Sequence, residues 1–270
     1  MSQSVRAVER ALDILQCFSM DKPTLSLTEI AEKVGMHKST IHRLLATLES
    51  KRYINRDKTT GLYKLGFVLF ELSSIMMHDL DFQHWADFYL QQLALQSGET
   101  VDLAILDGSR VVYLQVVESN QRVKIAAAIG EQLPAHCTAT GKAFLAYLPE
   151  KQVRLILAQG FQKYTDWTLI SHEAVFQNLR EIRERGFATS EQEYENEINA
   201  VAAPILDGGG CPLAVIAIVG PSYRMSRDRM LELGRIIRET ADAIGREVGL
   251  TTLPHLLPRQ LIPCTDENPN

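Results

Sequence analysis

The sequence predicts an α+β chain: an N-terminal winged helix-turn-helix, a linker helix, and a larger domain on a largely antiparallel sheet. Three observations carry this prediction. Residues 26–50 hold a helix-start signal, a glycine break and a second helical repeat, and a short hairpin follows. Residues 66–78 form an apolar helical stripe. Beyond residue 100, strand-like runs alternate with tight turns, and helices stand at the ends. A chain of 270 residues, 46% of them apolar, is long enough for two cores.

The elements follow in order. Val5, Val8, Leu12, Leu15 and Phe18 step by three and four, which is one face of a helix broken by Lys22-Pro23. Ser26-Leu27-Thr28-Glu29 is a capping box opening a helix over 27–34, which Gly35 stops. A second helix runs from about His37 to Ser50, and two helices split by so short a turn make a helix-turn-helix. Residues 52–56 and 62–65 are strands around the polar turn 57–61, with Gly61 where a positive φ is expected. This hairpin is the wing.

The helix over 66–78 carries Val68, Leu69, Leu72, Ile75 and Met76, and another helix covers 82–97. Strands are expected at 101–107, 110–118 and 123–128, with a hairpin turn at Asp107-Gly108. Helices follow at 138–148, 150–159 and 172–185. Strands return at 187–189, 201–206 and 213–219, the last two flanking Asp207-Gly208-Gly209-Gly210. A final helix over 226–249 turns Met230, Leu233, Ile237, Ile244 and Val248 inward. The expected domains are 1–64 for the winged head, 65–80 for the linker and 81–250 for the sheet domain. The proline-bearing tail 251–270 is expected to be disordered.

Charge separates the parts. The chain carries a net −5, yet residues 1–64 hold +4 and the remainder −9. Only the head is suited to a polyanion. Cys17, Cys137, Cys211 and Cys264 show no metal-ligand spacing and read as free thiols of a reducing cytoplasm. The amphipathic N-terminus is no signal peptide, and no apolar run reaches 18 residues, so membrane insertion is excluded. The expected location is the bacterial cytoplasm, on the nucleoid when bound to DNA.

The chemistry concentrates in Met36-His37-Lys38-Ser39-Thr40-Ile41-His42-Arg43-Leu44-Leu45. Ile41, Leu44, Leu45 and Leu48 form the inward stripe, and Ser39, Arg43 and Ala46 face the other way beside Thr40, His42 and Thr47. Small and hydroxyl residues around one arginine suit a major groove, where Arg43 can chelate a guanine edge. Lys38, Ser39 and Thr40 can hold phosphate, and Arg56, Lys58 and Lys64 on the wing can grip backbone or minor groove. The bland alternative is a solvated polar face. Capping box, turn, wing and local charge together favour double-stranded DNA.

Residues 4–250 resemble the IclR family of bacterial transcriptional regulators. The matching stretches are SVRAVERALDILQCF, LSLTEIAEKVGMHKSTIHRLLATLESKRYI, YKLGFVLFELS, LPAHCTATGKAFLA, RERGFATSEQEYENEINAVAAPILD and VIAIVGPSYRM. The resemblance implies a GAF-like effector-binding domain after the winged head. It also implies homodimers or dimers of dimers on pseudo-palindromic operators, controlled by a small metabolite. Members repress or activate, and no enzyme activity or cofactor is implied. The apolar linker stripe has little in the head to pack on, which favours self-association.

By the same resemblance the effector pocket is built from Ile125, Ala139, Thr140, Ser190, Ala200, Ala217 and Val219. Here the chain departs from the family pattern. Ser190 stands where an acid is frequent, Glu197 where Gly is frequent, and Ala200 where Cys is frequent. Ala217 and Val219 stand where Ser is frequent. Those changes remove polar partners for a small keto acid, and a carboxylate among apolar groups is costly. The expected ligand is larger or more apolar than a keto acid, aromatic or lactone-like, with one oxygen group at Ala139, Thr140 and Ser190. An architectural DNA-binding protein with a ligand-free C-terminal domain is the competing reading.

The remaining candidates are weaker. Cys137 with His136 as base is a poor catalytic pair, because adjacent side chains of an extended chain diverge. Lys142 reads as a surface or capping charge. Glu191, Glu193, Glu195 and Glu197 read as a solvated edge or loop, and His78 with His84 lacks a third metal ligand. Trp85 and Trp167 read as packing residues.

Overall fold

The computed structural model describes residues 5–19, 21–78 and 82–250, and at 76–78, 82–85, 159 and 248–250 the description covers the backbone alone. The tail 251–270 with Cys264 lies outside the described residues, as do the side chains of Met76, His78, His84, Trp85 and Val248. The chain divides into two compact units, Met1–Asp79 and Leu80–Asn270.

The first unit runs α1 (Arg6–Leu15), β1 (Thr24–Leu25), α2 (Leu27–Val34), α3 (Lys38–Ser50), β2 (Ile54–Arg56), β3 (Tyr63–Leu65) and α4 (Phe67–His78). Ser26 caps α2 as its sequence predicts. Its hydroxyl accepts from the Glu29 N–H at 3.3 Å, while its own N–H donates to Glu29 Oε2 at 2.8 Å. Gly35 ends α2 in the left-handed region at φ 68°. Ile41, Leu45 and Leu48 of α3 are buried with Ile14, Leu25, Ile30, Ile54 and Tyr63. Each such side chain contributes about 1.5–3 kcal/mol of burial.

Two features of this unit differ from the sequence reading. The wing sheet has three antiparallel strands in the order β1-β3-β2, and Thr24-Leu25 is too short a strand to read from pattern. Helix α1 stops at Leu15, well before Lys22-Pro23, and the residue it buries is Ile14, while Val5, Val8 and Leu12 are exposed. The three-and-four spacing found the helix, but of its stripe only Leu15 and Phe18 pack against the core.

The wing and α4 are joined tightly. Arg52 takes φ 64° after α3 and pairs with Glu71 of α4. The Gly66 N–H donates to the Tyr53 carbonyl at 2.8 Å, and a Cβ at Gly66 would lie 2.0 Å from the Arg52 carbonyl oxygen. Only glycine fits there.

The second unit runs α5 (Phe82–Ser97), β4 (Thr100–Asp107), β5 (Arg110–Val117), β6 (Gln132–Pro134), α6 (Ala139–Leu145), α7 (Glu150–Ile156) with a 3-10 turn at Leu157–Gln159, α8 (His172–Arg185), β7 (Ala188–Glu191), β8 (Ile198–Leu206), β9 (Pro212–Pro221) and α9 (Arg227–Leu250). Its six strands form one sheet in the order β6-β5-β4-β9-β8-β7, and every pairing is antiparallel. The two-residue period of each strand feeds two cores. Val101, Leu103, Val201, Ala203, Ile216 and Ile218 pack with α5 and α9. Ala104, Tyr113, Ala188, Ala202, Val215 and Ala217 share a core with residues of α6, α7 and α8.

The segment 123–128, expected as a strand, lies outside the ladder, and β6 at 132–134 is the strand that pairs with β5. Its alternation of Val123, Ile125 and Ala127 imitates a strand, but Arg224 Nη2 donates to the Val123 carbonyl at 2.8 Å, and Ala126 and Ala127 border a cavity instead of a neighbouring strand.

Candidate functional site

The head presents one polar helix face. His37 caps α3: its Nδ1 accepts from the Ser39 N–H at 3.4 Å and lies 2.9 Å from the Ser39 hydroxyl. Lys38, Ser39, His42, Arg43, Ala46 and Thr47 are exposed, and Thr40 is half-buried. The Thr47 hydroxyl donates to the Arg43 carbonyl at 3.0 Å, so it is spent within the helix. Among the described residues the Arg43 side chain makes no hydrogen bond or ion pair, and it is the longest donor on the face. On the wing, Arg56 sits over the Tyr63 ring at 5.5 Å, while Lys58 and Lys64 are exposed. The turn between them is held by Asp57, whose Oδ1 accepts from Thr59 and Thr60 N–H groups at 2.7 and 3.2 Å.

The second site is a cavity of about 130 Å³ in the sheet unit. It lies on two cross-strand rows, Thr100–Val219–Ala200–Ser190 and Asp102–Ala217–Ala202–Ala188, of which Val219, Ala200, Ser190, Asp102 and Ala217 line it. The alanines leave the space. A register shift between Leu103 and Ala104 sets Tyr113 opposite Ala104, so a bulge turns the tyrosine toward the same face. All seven residues expected from resemblance, Ile125, Ala139, Thr140, Ser190, Ala200, Ala217 and Val219, line this one cavity.

Helix α6 enters beside it. Thr138 is the cap, donating to the Pro134 carbonyl at 3.0 Å and accepting from the Gly141 N–H at 3.1 Å. A Cβ at Gly141 would lie 2.2 Å from the Ala135 Cα, so the glycine is required by this close approach. The Ser190 hydroxyl donates to the Cys137 carbonyl at 3.3 Å and ties β7 to the same entry.

The cavity is less apolar than the substitutions at 200, 217 and 219 imply. Asp102, Glu131, Glu195, Tyr113 and Tyr194 also line it. Burial, with a smaller push from the Glu131 charge, raises Asp102 to about 8. Tyr113 is raised too, by burial first and the Asp102 charge second. The pattern of β4 hides this aspartate, because Asp102 between Val101 and Leu103 looks like the wet side of a half-exposed strand. The signal available was the small character of Thr100 and Ala104, its neighbours on that face.

Three other expectations are corrected. Lys142 is no surface charge: it is 1% exposed and forms a buried ion pair with Glu193. That buries one of the four glutamates expected in solvent, and burial raises Glu193 from its ordinary value against the opposing pull of Lys142. Trp167 is 63% exposed rather than packed. Burial pushes the Cys137 thiol up to about 12, and the His136 ring lies 3.0 Å from the Gln162 carbonyl. Among the described residues no group of three His, Cys, Asp or Glu is placed to hold a metal ion, and no helix is long and apolar enough to cross a membrane.

Comparison with known proteins places these sites in context. Residues 7–58 match the IclR helix-turn-helix domain, and residues 75–246 match the C-terminal domain of bacterial IclR transcriptional regulators. The chain is 31% identical over 253 residues to the HTH-type transcriptional repressor AllR of Escherichia coli K12, covering 93% of each protein. An IclR transcriptional regulator from Alicyclobacillus acidocaldarius superposes with a TM-score of 0.78 at 29% identity, over 90% of this chain and 98% of that one. An IclR homolog from Microbacterium hydrocarbonoxydans complexed with 4-hydroxybenzoate shares the fold with a TM-score of 0.77 at 20% identity, over 89% of this chain and 99% of that one.

Proposed function

The chain belongs to the IclR family of bacterial transcriptional regulators, and from that premise we propose that it reads an operator with α3 and the wing and answers to a metabolite in the sheet-domain cavity. The observation that carries this reading is the convergence of seven residues, spread from 125 to 219, on one cavity. Residues 1–64 act as the head, 65–80 as the linker and 81–250 as the effector domain.

Arg43 reads a base edge, Lys38, Ser39, Thr40 and His42 position α3, and Thr47 packs against the groove. Arg56, Lys58 and Lys64 hold the flanking backbone. The protein acts in the cytoplasm without cofactor or catalysis, as a homodimer or dimer of dimers on a pseudo-palindromic site. Phe67, Phe70, Leu72 and Ile75 of α4 are exposed, which supports pairing through that helix. The AllR likeness supports repression as the sign of control.

At about 130 Å³ the cavity is near the size of the engineered apolar cavities, about 150 Å³, that accept benzene, so a single ring is the scale of ligand it suits. An aromatic or lactone-like metabolite therefore fits better than a two-carbon acid. Binding shifts a pre-existing equilibrium between two arrangements only by its differential affinity for them. The test is a thermal-shift screen of metabolites, with retention of the upstream DNA measured in parallel. A compound that raises the melting temperature and changes DNA retention supports the regulator reading. DNA binding that no compound alters supports an architectural protein.

A further inference from the structure

Asp102 is 3% exposed, and its Oδ1 is buried without a hydrogen-bond partner. It stands on the cavity face of β4, opposite Ala217 of β9. A buried acceptor left unpaired forfeits its hydration with nothing in return. Such an atom at the wall of a cavity calls for a donor brought by a ligand.

The rest of the lining says which donor. Asp102, Glu131 and Glu195 are acidic, and no Lys, Arg or His is among the described residues that border the space. The buried cation of α6, Lys142, is paired with Glu193. Two hydroxyls are already engaged, Thr138 with the Pro134 carbonyl and Ser190 with the Cys137 carbonyl. A ligand carboxylate would meet the Glu131 and Glu195 carboxylates with no cationic side chain among the described lining residues. An N–H donor would meet an orphaned acceptor. We propose that the cavity selects a ring-sized N–H donor, an uncharged amide or a protonated amine bonded to Asp102, and rejects carboxylates. This rests on the reading of the cavity as the effector site.

The test titrates the full-length protein by calorimetry with benzoate, benzamide and benzylammonium, and follows operator retention alongside. Benzamide and benzylammonium are expected to bind about ten- to a hundredfold more tightly than benzoate, the worth of one hydrogen bond to a charged group. Asp102→Asn is expected to lose that margin for benzylammonium and to keep benzamide within a few-fold. The wild-type ranking needs no variant. Benzoate binding as tightly as benzamide overturns the inference and leaves the effector reading intact. Binding by none of the three overturns it as well, as does an Asp102→Asn protein that holds benzylammonium unchanged. Donors that bind yet leave operator retention untouched support Asp102 recognition and overturn the effector reading instead.

Discussion

Arg43 is the arginine of the polar face of α3, so its loss is expected to be felt in specificity. Arg43→Ala is predicted to cost about 1–3 kcal/mol of operator affinity and to relax discrimination at one base pair, read by gel shifts on single-base operator variants. Operator binding equal to wild type would remove α3 from the groove. Lys142 makes the opposite case, because its partner is inside. Lys142→Met leaves Glu193 buried and unpaired, and is predicted to destabilise the sheet unit by about 3–5 kcal/mol in urea melts. The double change Lys142→Met with Glu193→Gln should recover most of that loss. The exposed face of α3 was legible, since helical periodicity sorts a short helix into two sides. The Lys142–Glu193 pair was not, because 51 residues separate the partners and no local rule joins them. Asp102 was missed for a different reason: strand alternation assigns faces, but it does not say that both faces are covered.

Among the elements, α2 shows how much a start signal settles. Glu29 is held down to about 2 by Lys22 first, and then by the Ser26 N–H and hydroxyl. A carboxyl whose folded value lies below its ordinary 4.5 contributes stability at pH above that value. That contribution is lost as pH falls from about 4.5 toward 2. The Glu29 side chain is therefore expected to titrate near 2 in NMR, and Glu29→Ala to flatten the head's acid unfolding over that window, while Glu29→Gln keeps the cap hydrogen bonds. Most other helices and strands were readable in order from periodicity and turn residues. The element misread, 123–128, has the alternation of a strand but borders a cavity. Pattern reports the spacing of side chains, and only tertiary contacts decide whether a ladder forms beside them. Element β1 fell below the length at which alternation means anything.

At the scale of the whole molecule, charge is divided between the parts: +4 lies in residues 1–64 and −9 in the rest. Salt should therefore act on DNA binding through the head. Lys58→Ala is predicted to weaken specific and random DNA alike and to lower the slope of log affinity against log salt by about 1, the share of a single phosphate contact. An unchanged slope would take Lys58 off the backbone. The seven cavity residues were reachable only because a family resemblance supplied an alignment, since their sequence separation carries no signal of its own. The close packing at Gly66 has a mechanical meaning. There is no room for even a methyl group between it and the Arg52 carbonyl, and Glu71 pairs with Arg52, so the start of α4 is held close to the end of α3. Helix α4, about 18 Å long by its rise per residue, is a lever arm welded to the reading head. A rotation applied at its far end is expected to reach α3 through Gly66 and the Arg52–Glu71 pair.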